Sequence, residues 1–486
     1  MTSATEAPEL TEIEAALLSL LETQRADFQK EGSVSAASRI DRLDRGIDAL
    51  VRYADKLAEA LNSDYGCRPR EITMLTDIGG SLAPMKHAKK HLSKWMKPEK
   101  RPTGFPFNLA GGRSRIEYQP LGVVGIISPW NFPVSMVFAP MAGALAAGNR
   151  VMVKPSEYTP ATSEVLRAMI EEVYDAKEVV VCTGGPEVGQ AFSNLPLDHL
   201  FFTGATSVAR HIMAAAARNL VPVTLELGGK SPVIISRTAD LEKALAKIMM
   251  GKTMNAGQIC VAPDYLLVPE EKLEEVIAMA QSAVAAMYPS LLDNAQYTSI
   301  INDRHFERLG GYLSELEERG VKTIAINPAG EDFSGQKGSY KIPPTLVVQP
   351  PNDLKVQQEE IFGPLLPIHT YRDFSETIDL INSRPSPLAA YYFGNDANEQ
   401  AEVEDRVTSG GMCINDVAMH VSQEDLPFGG VGPSGMGSYH GIEGFRTFSH
   451  AKSIYRQAKI DFAKLGGIVP PYGKTTEGTI KGQIKK

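Results

Sequence analysis

Apolar residues recur along the first part of the chain at steps of three and four, a spacing that predicts helices. Ile13, Leu17, Leu20, Leu21 and Phe28 form one stripe, with Thr11 and Glu14 at capping-box spacing ahead of it. Ile40, Leu43, Ile47, Leu50, Ala54, Leu57 and Leu61 form a second, with Asp41, Arg42, Asp44 and Arg45 on the opposite side. A third helical stretch is predicted over 72–95. Its Lys86, Lys89, Lys90 and Lys94, with Lys97, His87 and His91, read as a solvated basic face. His87 and His91 are one turn apart, but the glutamate of the HExxH signature is absent and no metal site is expected.

Between 102 and 121 the chain is rich in Gly, Pro and Arg and ends in an alternating run, Arg115, Ile116, Glu117, Tyr118 and Gln119. That pattern predicts an exposed strand open to a partner. Short apolar runs follow at 123–128, 150–154, 179–182, 200–203 and 223–225, alternating with helical stretches as parallel βαβ units in a doubly wound sheet do. Ligands of such sheets lie beyond the carboxyl ends of the strands. Trp130, Asn131, Lys154, Glu157, Gly204 and Thr206 stand there as candidate contacts. After Gly229 a second α/β pattern runs to about Phe428, with strands expected at 233–235, 265–268, 345–348 and 365–369. The expected join is at Gly228 and Gly229, with a cleft that holds Cys260. The glycine-rich stretch 429–437 is expected to be flexible enough to fold over a site. A last strand is expected at 447–455, and 461–486 reads as a loose tail or surface strap.

With 486 residues the chain is too long for one compact core. Its 43% hydrophobic and 22% charged residues are those of an ordinary globular protein. A formal charge of −9 leaves no basic footprint for a nucleic acid. Cys67, Cys182, Cys260 and Cys413 lie far apart without a CxxC pair, which speaks against zinc or a disulfide framework and fits a reducing cytoplasm. Glu6 and Glu9 precede any apolar run, so no signal peptide is expected, and no stretch is long and apolar enough to suggest a membrane span.

The chemistry gathers around Asn255-Ala256-Gly257-Gln258-Ile259-Cys260. A lone cysteine is most often a small buried hydrophobe. Here it is accompanied by Glu226-Leu227-Gly228-Gly229-Lys230 and Pro129-Trp130-Asn131-Phe132-Pro133. A thiolate that attacks a carbonyl carbon creates an oxyanion, which Asn131 and the Cys260 amide can stabilise. Glu226 is the candidate base for the water that releases the product. Singly, Glu226 also reads as an ion-pair partner of Lys230, and Asn131 as a turn residue.

These motifs, together with Lys154-Pro155-Ser156-Glu157, Phe202-Thr203-Gly204, Glu359-Glu360-Ile361-Phe362-Gly363-Pro364 and Leu426-Pro427-Phe428-Gly429-Gly430, occur in the order of the NAD(P)-dependent aldehyde dehydrogenases, which the chain resembles over about residues 35 to 460. Within that superfamily the resemblance is to the class 3-like branch, and there to bacterial coniferyl aldehyde dehydrogenases. It implies an α/β aldehyde dehydrogenase fold with a doubly wound NAD(P)-binding domain at 1–104 and 121–228. A catalytic domain at 229–433, oligomerisation strands at 105–120 and 447–460, and a tail at 461–486 complete it. It further implies Cys260 as nucleophile, Asn131 as oxyanion donor and Glu226 as general base. Trp130, Lys154, Glu157, Gly204, Thr206, Leu227, Glu360 and Phe362 would hold the cofactor, NAD, with NADP also accepted. A carboxylate at Glu157 opposes the 2′-phosphate of NADP.

Two departures from the family pattern, Ala205 and Ala209, leave phosphate contacts to the backbone amides of the helix start. Phe132, Met254, Ile259 and Phe428 are the expected walls of an apolar substrate pocket. The expected reaction converts an aromatic aldehyde such as coniferyl aldehyde to its acid in a cytoplasmic homodimer, with no nucleic acid, membrane or metal. A long-chain aldehyde, acyl transfer to coenzyme A, ester hydrolysis and a non-catalytic scaffold are the alternatives.

Overall fold

A computed structural model describes residues 10–336 and 338–485, so Glu6 and Glu9 lie outside the described residues. Three sheets organise the chain. In the first, six strands lie in the order Gly435–Met436, Val223–Glu226, His199–Thr203, Val123–Ile127, Arg150–Lys154 and Val179–Val181. All pair in parallel except Gly435–Met436, which runs antiparallel to Leu225 and Glu226. The chain begins this sheet at Val123–Ile127, builds outward on one side, then returns to build on the other. The strand order therefore reverses beside Val123–Ile127, whose carboxyl end leads straight into Trp130 and Asn131.

The second sheet has seven strands, in the order Thr323–Ala325, Thr345–Val348, Leu365–Tyr371, Tyr265–Pro269, Pro232–Ile235, Ala389–Phe393 and Gly411–Ile414. Its central strands are fully buried, as runs covered by helices on both faces must be. The helix Ser135–Ala147 is apolar on nearly every side and almost wholly buried. It packs against the helix Gly79–Trp95 and, through Gly143, against the backbone of Gly444. Among the described residues no helix is long and apolar enough to cross a membrane.

Several expectations give way to the observed packing. Arg113–Pro120 is the middle strand of a three-stranded sheet, between Glu99–Arg101 and Ser449–Arg456, so its backbone is paired on both sides and the unpaired edges belong to its neighbours. The 72–95 stretch begins earlier, at Arg70, and passes through a π-helical turn at Thr73–Ile78 before Gly79–Trp95. His87 and His91 leave the lysine face. Their rings lie tilted with centroids 4.2 Å apart and lean on Trp95 at 5.7 and 5.9 Å, because the half-buried side of the helix is aromatic. The first helix starts at Leu10, which puts Thr11 inside its first turn rather than at the cap. The 461–486 tail contains two exposed helices, Phe462–Leu465 and Lys474–Gln483.

The glycine-rich stretch is fixed rather than flexible. Gly435–Met436 is an edge strand, Leu227 donates its amide to the Ser434 carbonyl at 3.2 Å, and a Cβ on Gly430 would lie 2.1 Å from that same oxygen. Gly430→Ala is expected to break this pairing and lower the unfolding free energy by about 1–3 kcal/mol, read as a fall in the chemical denaturation midpoint.

Candidate active site

The helix Leu241–Thr253 starts on Asp240, whose carboxylate accepts the Lys243 amide. At its far end Asn255, Ala256 and Gly257 all take left-handed backbone angles, with φ of 50°, 53° and 74°. Left-handed geometry costs a residue with a Cβ about 1–2 kcal/mol, so something must hold it. Gln258 does. Its amide nitrogen donates to the carbonyls of Asn255 (2.9 Å) and Ser299 (3.1 Å), while its oxygen accepts the Ile301 amide (3.1 Å). The turn thereby presents Cys260 half-buried just ahead of Tyr265–Pro269, at the amino ends of the seven-stranded sheet's central strands.

Asn131 faces this turn and donates its side-chain amide to the Gln258 carbonyl at 3.1 Å, which leaves its second amide hydrogen free. Its backbone carbonyl accepts from Arg68 (2.7 Å), Tyr65 (3.2 Å) and Asn255 (3.3 Å). Arg68 is in turn paired at 2.6 Å with Asp77, both side chains fully buried. The second oxygen of Asp77 accepts the Val134 amide at 3.1 Å. No motif role in the sequence marks Arg68, Asp77, Tyr65 or Gln258. Gln258 lies within the cysteine motif, but no spacing links Arg68 and Asp77 to Asn131.

Burial dominates the electrostatics. It pushes the Cys260 thiol up to about 12, with the carboxyls of Glu360 and Glu226 adding to the rise and the Cys260 and Val261 amides opposing it. Glu226 is buried with both carboxyl oxygens unpartnered, and burial raises it well above the ordinary carboxylate range. Lys230 pairs instead with Asp264 and donates to the carbonyls of Val356 (2.8 Å) and Glu359 (3.0 Å), so the Glu226–Lys230 ion pair does not form. Glu360 is raised to about 8 by burial and then by Asp264. Its Oε1 is unpartnered and would lie 2.3 Å from a Cβ on Gly228, so a side chain there would have to displace the carboxyl.

Thr206, Gly228, Glu360 and Pro433 line one cavity of about 410 Å³. The helix Thr206–Arg218 opens onto it without a side-chain cap at Ala205. Buried Lys154 bonds exposed Glu157 at 2.8 Å. Trp130 meets Phe362 edge-on at 5.3 Å and His305 at 4.9 Å. The amides of Gly204 and Leu227 are already used by the carbonyls of Glu226 and Ser434. Among the expected pocket walls, Met254 and Ile259 are half-buried. Phe428 stacks on His440 at 5.3 Å, and Phe132 lies under the Arg68 guanidinium at 5.2 Å.

A thiol beside an unpartnered carboxyl and an amide donor, at the end of a doubly wound sheet, is a constellation for covalent carbonyl chemistry with a nucleotide. The model of the aldehyde dehydrogenase family matches residues 10–454, and the chain belongs to that family. It is accordingly an NAD(P)-dependent oxidoreductase acting on aldehydes, with the α/β fold of that family. It is 54% identical to a Caulobacter vibrioides protein named probable coniferyl aldehyde dehydrogenase, over 97% of each chain. It is 52% identical to the coniferyl aldehyde dehydrogenase of Pseudomonas sp. strain HR199, over 95% of each. The substrate-bound structure of Staphylococcus aureus AldH superposes with a TM-score of 0.88 at 37% identity, covering 96% of this chain and 99% of that one.

Asp77→Ala leaves Arg68 buried without its counter-charge and is expected to cost about 3–5 kcal/mol in chemical denaturation. For Glu360 the folded carboxyl holds its proton up to about pH 8, whereas the unfolded one releases it near its ordinary value. The folded state therefore binds more protons across that window, and its stability is full below the unfolded value and falls as pH rises toward 8. Glu360→Gln is expected to flatten this decline, measured as denaturation midpoint against pH without cofactor.

Proposed function

We propose that the protein oxidises an aromatic aldehyde of the coniferyl type to its carboxylic acid through a covalent intermediate on Cys260. The observation that carries this reading is the half-buried thiol of Cys260 facing the unpartnered carboxyl of Glu226 beside the Asn131 amide. The coniferyl assignment is supported by the names of the two bacterial relatives; we assign Phe132, Met254, Ile259 and Phe428 to the walls of the substrate pocket.

The residues fit a bound dinucleotide. Lys154 and Glu157 offer ribose hydroxyls a donor and an acceptor, the uncapped helix at Thr206 offers amides to phosphate, and the free Glu360 oxygen offers a second ribose an acceptor. Trp130 and Phe362 supply flat apolar surface, while Gly204 and Leu227 contribute close backbone because their amides are taken. The Glu157 carboxylate favours NAD over NADP. When bound, NAD(P)+ takes up the hydride from the carbon attached to Cys260, which is the oxidation.

Burial keeps the thiol protonated, so its proton must leave as the sulfur bonds to the aldehyde carbon. Glu226, unpaired and adjacent, accepts it in its ionised form and releases it to solvent before the second step. The developing oxyanion meets the free hydrogen of the Asn131 amide and the Cys260 backbone amide. After oxidation a thioester links the acyl group to Cys260. Glu226 then takes a proton from water as the water oxygen bonds to the acyl carbon. The carbon–sulfur bond breaks, the thiol regains its proton and the acid departs. An unpaired Glu226 supports water, rather than coenzyme A, as acceptor.

We further assign 1–104 and 121–228 to cofactor binding, 229–433 to catalysis, and 105–120 with 447–460 to a homodimer contact through the exposed edge of Ser449–Arg456. Four free thiols support a cytoplasmic location. Size-exclusion chromatography with light scattering would return a dimer mass.

Cys260→Ser is expected to lower coniferyl aldehyde oxidation by at least about a thousandfold, and NADH formation at the wild-type rate would overturn the thiol mechanism. Glu226→Gln is expected to slow steady turnover by about a hundredfold or more. Coenzyme A is expected to leave the wild-type rate unchanged.

A further inference from the structure

Beyond Phe428 four polar side chains carry atoms that nothing among the described residues pairs. His440 is buried, sits at a φ of 84° and leaves Nδ1 without a partner. His420 and His87 each leave Nε2 so, and Glu424 leaves Oε2 so, all three half-buried. His87 Nε2 is 3.3 Å from Asp425, but not in hydrogen-bonding geometry. An unpaired buried polar atom costs about 1–3 kcal/mol, so a group of them calls for a ligand to pair it.

The four converge. A Cβ on Gly441 would lie 2.3 Å from the Glu424 carbonyl oxygen and 3.5 Å from His87 Nε2, and His440 lies in the electrostatic field of both His420 and His87. They also adjoin the reacting atoms. The Tyr439 ring lies 4.5 Å from that of His440 and within the field of Glu226 and Cys260. His440 lies nearly parallel to Phe428, at an interplanar angle of 18°.

Their chemistry is specific. Cys413 Sγ accepts the His420 amide at 3.4 Å and lies 3.1 Å from His420 Nδ1. Assigning the thiol proton to the bond with Nδ1 makes Nε2 a donor, unpartnered among the described residues. Burial holds His420 and His440 near 4, so both are neutral at pH 7, and raises Glu424 to about 7.

We infer that this cluster recognises the oxygenated end of the substrate, a 4-hydroxy-3-methoxyphenyl ring whose hydroxyl bonds Glu424 and His440 and whose ether oxygen accepts from His420 Nε2. The inference rests on the aromatic-aldehyde reading above. A straight-chain aldehyde would leave Glu424, His440 and His420 Nε2 unpaired, and an unsubstituted phenyl ring would do the same.

The test compares KM and kcat for coniferyl aldehyde and for cinnamaldehyde, which shares the propenal but lacks both ring oxygens, in the full-length wild type and in His440→Phe and Glu424→Gln. The wild type is expected to show a coniferyl aldehyde KM about ten times lower than that for cinnamaldehyde, the size of one well-made buried hydrogen bond. Each variant is expected to raise the coniferyl aldehyde KM about tenfold, with its kcat within a factor of two, and to bring the ratio of the two KM values toward one. Should His440→Phe fail to fold, the half-buried Glu424→Gln carries the same comparison. Equal wild-type KM values, or a ratio preserved in Glu424→Gln, would overturn the inference. Failure of the wild type to oxidise either aldehyde would instead overturn the aromatic reading on which it rests.

Discussion

Three donors from separate parts of the chain, Arg68, Tyr65 and Asn255, converge on the backbone carbonyl of Asn131, and the geometry of the cleft depends on that convergence. Asn255 belongs to the cysteine turn, and Asn131 lies in the loop that follows the first strand of the six-stranded sheet. Tyr65 and Arg68 come from the end of a long amino-terminal helix and just beyond it. A single carbonyl oxygen thus ties the turn that carries the thiol to the loop that carries the amide. The charge on Arg68 makes its own bond to this carbonyl stronger than the two neutral ones, and the fully buried Asp77 supplies its counter-charge.

The dry cleft that results has a second effect. Cys260, Glu226 and Glu360 all have their charged forms disfavoured by burial, so the cleft is held close to neutral until a ligand arrives. The neighbouring cations do not neutralise Glu226, because Lys230 is committed to Asp264 and to two carbonyls.

What could be read from the residues follows from how local the determinants are. Strands at 150–154 and 345–348 coincide with Arg150–Lys154 and Thr345–Val348, since each is an apolar run with turn residues nearby. Ala389–Phe393 went unanticipated, its two alanines giving no β-branched signature, and so did the polar Glu99–Arg101. Glycines with polar neighbours suggested a flexible 429–437, yet there the missing side chains serve close approach of backbones. The thiol, carboxyl and amide of the candidate site announced themselves through motifs. Their supports did not, because Arg68 and Asp77 meet across a π-helical turn, and Lys230 finds Asp264 only when two strands pair. Side chains that work through tertiary contact leave no periodic trace.

The edge strand Gly435–Met436 bears on how the molecule is made. Leu225 and Glu226 are synthesised before the midpoint of the chain, but the strand that pairs with them emerges near its end. On the ribosome, the six-stranded sheet must therefore wait with one edge open while the whole seven-stranded sheet is translated. Such long-range closure is slow. An exposed strand edge of that kind is a template for mispairing, which makes the nascent chain, rather than the finished enzyme, the form in most need of a chaperone.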